Sequence, residues 1–94
     1  MRRLGCDMPT TVFQDNALEQ YDDWDGKDPK TKKRIKMLIK DVQRNGVAQG
    51  IGKPELLKSR GVWSRRIDEK NRLVYTQDEN GTLVILSCKG HYED

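Results

Sequence analysis

Five side chains in the last third of the chain could do chemistry together: Glu55, Arg66, Arg72, His91 and Tyr92. His91 is the only histidine, and near its ordinary pKa of about 6.5 it can give or take a proton around neutrality. Glu55 supplies a complementary proton-transfer group. Arg66 and Arg72 carry planar guanidinium groups that meet phosphate oxygens in pairs. Tyr92 can stack on a base or donate to a phosphate. A base, an acid and cations that balance transition-state charge suffice to cut RNA. The base takes the 2′-hydroxyl proton, that oxygen attacks the adjacent phosphate, and the acid protonates the leaving 5′-oxygen. This scheme needs no metal and no cofactor, and no DxD, HxxE or paired-carboxylate pattern argues for a metal.

Each of these residues also has a plainer reading. Glu55 taken alone is a surface loop glutamate, and His91 a solvated histidine near the end of the chain. Arg66 and Arg72 can form salt bridges with Asp68 and Glu69. The chemistry therefore depends on the elements that would gather them.

Thr10 to Phe13 is β-prone and is a candidate first strand. Asp15 or Asn16 can cap a helix in which Ala17, Leu18, Tyr21 and Trp24 fall at helical spacing, with Gly26 as its terminator. Asp28-Pro29 restarts a helix, with Asp as N-cap and Pro at the first helical position. Ile35, Leu38, Ile39 and Val42 then make one apolar stripe, and Asn45-Gly46 ends it. Val47 to Arg60 reads as an irregular connection that holds Glu55, and structureless stretches of this length are often functional. Val62–Ile67, Leu73–Thr76 and Leu83–Leu86 form an antiparallel meander. Its turns fall at Asp68–Asn71 and at Asp78–Gly81, where Asn80-Gly81 is a hairpin signal. The apolar run Leu83–Leu86 is expected to be the most buried strand. The fold class is thus α+β, an antiparallel sheet with two N-terminal helices on one face and the other face open.

Arg66 and Arg72 flank the first of these turns, so the strand register decides whether they meet. Pairing Ile67 with Leu73 sets Arg66 opposite Val74 and Asp68 opposite Arg72. Both arginines then share a face, across a loop Glu69-Lys70-Asn71 in which Asn71 adopts the left-handed conformation, whereas the alternative two-residue register would separate them.

The 94 residues make one domain over residues 10–94, preceded by an extension, residues 1–9, that lacks periodicity and includes a second candidate start at Met8. Hydrophobic residues are 34% and charged ones 35%, and the net charge is +3. The charge is segregated: Asp15 to Asp28 carries six acids against Lys27, while Lys30 to Arg44 carries seven bases against Asp41. An uneven field of this kind can draw a polyanion to one side, although charge runs on helices are also ordinary solvated faces. Cys6 and Cys88 lie far apart with no CxxC spacing, so a reducing compartment is the simpler reading. No apolar run approaches a membrane span. The expected location is the cytoplasm.

Gly52-Lys53-Pro54-Glu55-x-Leu57, Trp63-Ser64-Arg65-Arg66-Ile67, Arg72-Leu73-Val74-Tyr75 and Cys88-x-x-His91-Tyr92 together resemble the signature of the YoeB (Txe) toxins, in the RelE superfamily of bacterial toxin–antitoxin systems. The resemblance runs from about Thr11 to Tyr92. It implies a microbial-RNase fold, a twisted antiparallel sheet backed by two helices. It also implies an endoribonuclease that cuts messenger RNA in the ribosomal A site, against 16S and 23S ribosomal RNA. By position it makes Glu55 the general base, His91 the general acid, Arg72 and Arg66 the phosphate-stabilising arginines, and Tyr92 the tyrosine beside the acid. It suggests Lys53, Lys58 and Arg65 as further RNA contacts. The partners it implies are a YefM-type (Phd/YefM) antitoxin and a second copy of the toxin. Two other functions fit the same fold: a non-catalytic RNA- or ribosome-binding translation inhibitor, and an inactive protein–protein adaptor.

Overall fold

The computed structural model describes residues 11–57 and 61–90. The N-terminal extension, Lys58, His91 and Tyr92 lie outside the described residues.

Two helices form first along the chain, after a short strand β1, Thr11–Phe13. Helix α1 spans Asp15–Lys27 and α2 spans Pro29–Asn45. The cap of α1 falls one residue earlier than its sequence suggests, on Gln14, without a side-chain hydrogen bond. Gly26 is helical rather than terminating, and α1 runs one residue past it. The break comes at Asp28 because Pro29 has no N–H to continue the first helix. Asp28 also opens α2: its carboxylate accepts from the Lys30 amide at 3.2 Å and the Thr31 hydroxyl at 2.9 Å. Ile35, Leu38, Ile39 and Val42 are all buried. Gly46, at φ 94, ends the helix at the expected place.

Among the described residues the sheet has five strands, in the order β1-β5-β4-β3-β2. β2 is Glu55–Leu56, β3 Trp63–Arg66, β4 Arg72–Gln77 and β5 Leu83–Ser87. The three-strand meander expected from sequence is its centre. β2 adds an edge by pairing Glu55 with Ser64, so Glu55 stands on a strand and not in a loop. β1 adds the other edge, parallel to β5.

Alternation along β3 and β4 divides the sheet into two faces. Leu73 and Tyr75 on β4, with Leu83 and Ile85 on β5, join the α2 stripe, Ala17 and Cys88 in one core cluster. The most buried strand is therefore β4, where Leu73, Val74 and Tyr75 are all buried; β5 alternates because only one of its faces meets the helices. The other face carries Glu55, Ser64, Arg66, Arg72 and Val74, which the register places side by side.

Candidate active site

Arg66 pairs directly with Arg72 across β3 and β4. The register is two residues away from the expected Ile67–Leu73 pairing. Since a shift of two preserves facing, the two arginines still share a face, as nearest neighbours. The turn itself explains the shift. The Ile67 amide donates to the Asn71 carbonyl at 3.0 Å, which closes the loop on Asp68-Glu69-Lys70. Asp68 Oδ1 accepts from the amides of Lys70 and Asn71 at 2.7 and 2.8 Å. The Asn71 side-chain amide donates to both Asp68 oxygens. Burial raises the Asp68 pKa, but these hydrogen bonds outweigh it and hold the carboxyl below its ordinary value. Asn71 does not adopt the left-handed conformation; Lys53 is the only described non-glycine residue at positive φ. Asn71 acts as a clamp instead, its Oδ1 accepting from the Gly90 amide at 2.8 Å.

Arg72 is the centre of the site. Its Nη1 donates to Glu55 Oε1 at 3.4 Å and to Ser64 Oγ at 3.3 Å. Its backbone amide donates to the Gly90 carbonyl at 3.0 Å. The last described residue, from which the chain continues to His91, is thus fixed against Arg72. The approach to it is fixed as well: Gln20 of α1 accepts from the Cys88 amide at 2.8 Å, and the Trp24 indole donates to the Cys88 carbonyl at 3.1 Å. Among the described residues the ion pairs are Asp25–Lys32, Asp41–Arg65 and Glu55–Arg72. None joins Arg66 or Arg72 to Asp68 or Glu69, so the salt-bridge alternative for these arginines is not what forms. The site is accessible: the Glu55 side chain is 63% exposed, and that of Arg72 21%. Arg66 is exposed beside them.

Ser64 is a member of this site that its motif alone does not reveal. It is fully buried beneath the charged pair, and it is opposite Glu55 in the register. Strand alternation is the signal that could have found it, because Ser64 shares the facing of Arg66.

Arg65 corrects an expectation. As a neighbour of Arg66 on a strand it points to the opposite face, and it is fully buried there. It donates to Asp41, to the Tyr75 hydroxyl and to the carbonyls of Gly46, Gln49 and Ile51. It has no surface to offer RNA. Burial pushes the Tyr75 hydroxyl pKa up, with Arg65 partly opposing it. Lys53 is exposed, two residues before Glu55, and takes a left-handed φ of 52°. Strain of this kind in a non-glycine residue gathers at functional positions.

Among the described residues no cluster of three or more histidines, cysteines or acids could hold a metal, and no helix is long and apolar enough to cross a membrane. Burial pushes the Cys88 thiol up to about 12. The thiolate is the reactive form, so Cys88 is expected to stay unmodified by iodoacetamide at pH 8 in the native protein and to react in urea, as read by peptide mass mapping.

Two helices lie behind a sheet whose far face gathers a carboxylate and two arginines, and solved structures of bacterial toxins share this architecture. A staphylococcal YoeB, solved as a dimer, superposes with a TM-score of 0.84 at 45% identity, covering 90% of this chain and 99% of that one. A YoeB–YefM heterotetramer from Staphylococcus aureus gives a TM-score of 0.81 at 46% identity, covering 89% and 98%. Toxin YoeB of Streptomyces coelicolor is 44% identical over 83 residues, 86% of this chain and 96% of that protein. The family profile for the YoeB-like toxin of bacterial type II toxin-antitoxin systems matches residues 13–92. The chain belongs to this YoeB-like toxin family.

Proposed function

We propose that this toxin is a metal-independent endoribonuclease that cuts messenger RNA in the ribosomal A site and so stops translation. The observation that carries this reading is the contact of Arg72 with Glu55 on an accessible sheet face, with Arg66 directly beside it. Glu55 takes the proton from a 2′-hydroxyl. The freed oxygen bonds to the adjacent phosphorus, the bond to the 5′-oxygen breaks, and His91 protonates that oxygen. Arg72 and Arg66 balance the charge that builds on the phosphate. Tyr92 orders the substrate beside the acid, and Lys53 and Lys58 hold flanking RNA by charge. The product termini follow from the attack: a cyclic phosphate on one fragment and a free 5′-hydroxyl on the other.

Partners follow the family. The staphylococcal relatives are described as a YoeB dimer and as YoeB–YefM complexes. This chain is accordingly proposed to bind a YefM-type antitoxin and to self-associate, and to act in the cytoplasm against a ribosome of 16S and 23S RNA.

The test is primer extension on message from a translating extract. Cleavage is expected to vanish when the scissile nucleotide carries a 2′-deoxy sugar. A cut deoxy substrate would sink the mechanism. Arrested translation on intact message would favour a non-catalytic inhibitor instead.

A further inference from the structure

We infer that Arg65 and Asp41 are positioning residues for Glu55, acting through the connection between α2 and β2. The inference rests on the nuclease reading of the site. Glu55 needs external support, because its own strand is only two residues long and Leu56 beside it is exposed. Strands so short do not hold themselves. What precedes Glu55 is tied down at successive points. Arg65 Nη2 donates to the Gly46 and Gln49 carbonyls at 2.8 and 2.6 Å. Its Nη1 donates to the Ile51 carbonyl at 3.1 Å and to Asp41 Oδ2 at 2.5 Å. The Tyr75 hydroxyl, which accepts from Arg65 Nε at 2.9 Å, donates to the Val47 carbonyl at 2.7 Å. The Ile51 amide donates to Asp41 Oδ2 at 3.0 Å, and the Arg66 amide to the Gly52 carbonyl at 2.6 Å.

Two glycines make the fit tight. A Cβ on Gly50 would lie 1.7 Å from Asp41 Oδ2, and one on Gly52 would lie 2.8 Å from a Leu38 methyl and 3.2 Å from the Arg65 Cβ. The connection therefore lies directly on the guanidinium and its carboxylate. A surface loop can satisfy its carbonyls with water. This one satisfies them with a buried cation, and a buried ion pair gains little over an apolar replacement in stability alone. What the arrangement does fix is geometry. Arg65 and Arg66 are consecutive on β3, so one residue grips the connection from the helix face while the next presents its guanidinium on the reactive face. The position of Glu55 relative to Arg72 is set by the same strand that carries Arg66.

The test compares wild type with Asp41→Asn and with Tyr75→Phe, each alone and combined with Glu55→Gln. Asp41→Asn keeps the shape but removes the charge, which makes it a milder change than truncating Arg65. Amide hydrogen exchange is expected to rise more across residues 46–55 than in β4 and β5, whose core amides report only the global change in stability. The single-turnover cleavage rate is expected to fall about 10- to 100-fold, the scale of a 1 Å misplacement of a reacting group, with RNA affinity unchanged. The loss is expected to disappear in the Glu55→Gln background, because a positioning residue has nothing left to position there. Equal losses in both backgrounds would overturn the inference, as would faster exchange in 46–55 with an unchanged rate. So would exchange that rises by the same factor in residues 46–55 and throughout the sheet. A wild-type chain that leaves the message intact overturns the nuclease reading and this inference together, and it is recognised before any variant is compared.

Discussion

Arg72→Ala is expected to lower message cleavage by about 10²- to 10³-fold, the cost of deleting one preorganised charge-stabilising donor. Glu55→Gln is expected to lower it by about 10²- to 10⁴-fold, the range for removing a general base. Arg72 has the wider reach. Its guanidinium touches both Glu55 and Ser64, and its amide holds the Gly90 carbonyl. Alanine removes the first two contacts and leaves the third, because that one is backbone. The chain should therefore keep its fold and lose its rate. The ion pair with Glu55 is exposed on the carboxylate side and contributes little to stability, so the denaturation midpoint is expected to move hardly at all. Primer extension in a translating extract, with ribosome co-sedimentation as the control for binding, checks this. Cleavage at the wild-type rate by Arg72→Ala would remove the arginine from the mechanism.

Arg65→Met is expected to destabilise the domain by about 3–5 kcal/mol, the usual cost of stripping one partner from a buried pair. Small domains hold roughly 5–15 kcal/mol in total, and a chain of this length sits toward the low end. Much of the variant should then be unfolded or insoluble. Methionine fills part of the space but strands Asp41 and the Gly46, Gln49 and Ile51 carbonyls, which lose their donor. Urea denaturation of wild type and variant measures the loss.

The Asp41 side adds a pH signature. Burial raises its pKa, yet hydrogen bonds from Arg65 and the Ile51 amide more than offset this and hold it below the ordinary 3.8. A depressed carboxyl gives stability that is fully present above its unfolded pKa and is lost as pH falls through the folded one. The stability gap between wild type and Asp41→Asn should therefore be widest near neutrality and close below about pH 4. A gap that stayed constant down to pH 2 would mean that the charge of Asp41 contributes nothing.

The helices could be read from sequence because their signals are local. Asp28-Pro29 starts α2 by cap and ring chemistry, Ile35, Leu38, Ile39 and Val42 repeat at helical spacing, and Gly46 stops it. The Asn80-Gly81 turn is local too, with Gly81 at φ 84. The two-residue β2 was not readable, since nothing in Glu55-Leu56 alternates and the strand exists only by pairing with Trp63 and Ser64. The Asp68–Asn71 turn sets the register two residues from the Ile67–Leu73 pairing, because the deciding contacts are side chains folding back on their own turn. The facing of Arg65 was available from sequence: once Arg66 is placed on the reactive face, its neighbour on the strand must point away. Residue types found Glu55, Arg66 and Arg72; only tertiary pairing brought them into contact.

The parallel pairing of β1 with β5 has a consequence in time. Thr11, Val12 and Phe13 align with Leu83, Val84 and Ile85. The first strand to leave the ribosome thus waits for the last one before the sheet can close on that edge. Contacts of such long sequence separation form late and slowly. A chain cut short before Leu83 lacks β5 and the Gly90 carbonyl beyond it, which the Arg72 amide meets. That edge of the reactive face is set only once β5 has paired with β4 and the Arg72 amide has met the Gly90 carbonyl.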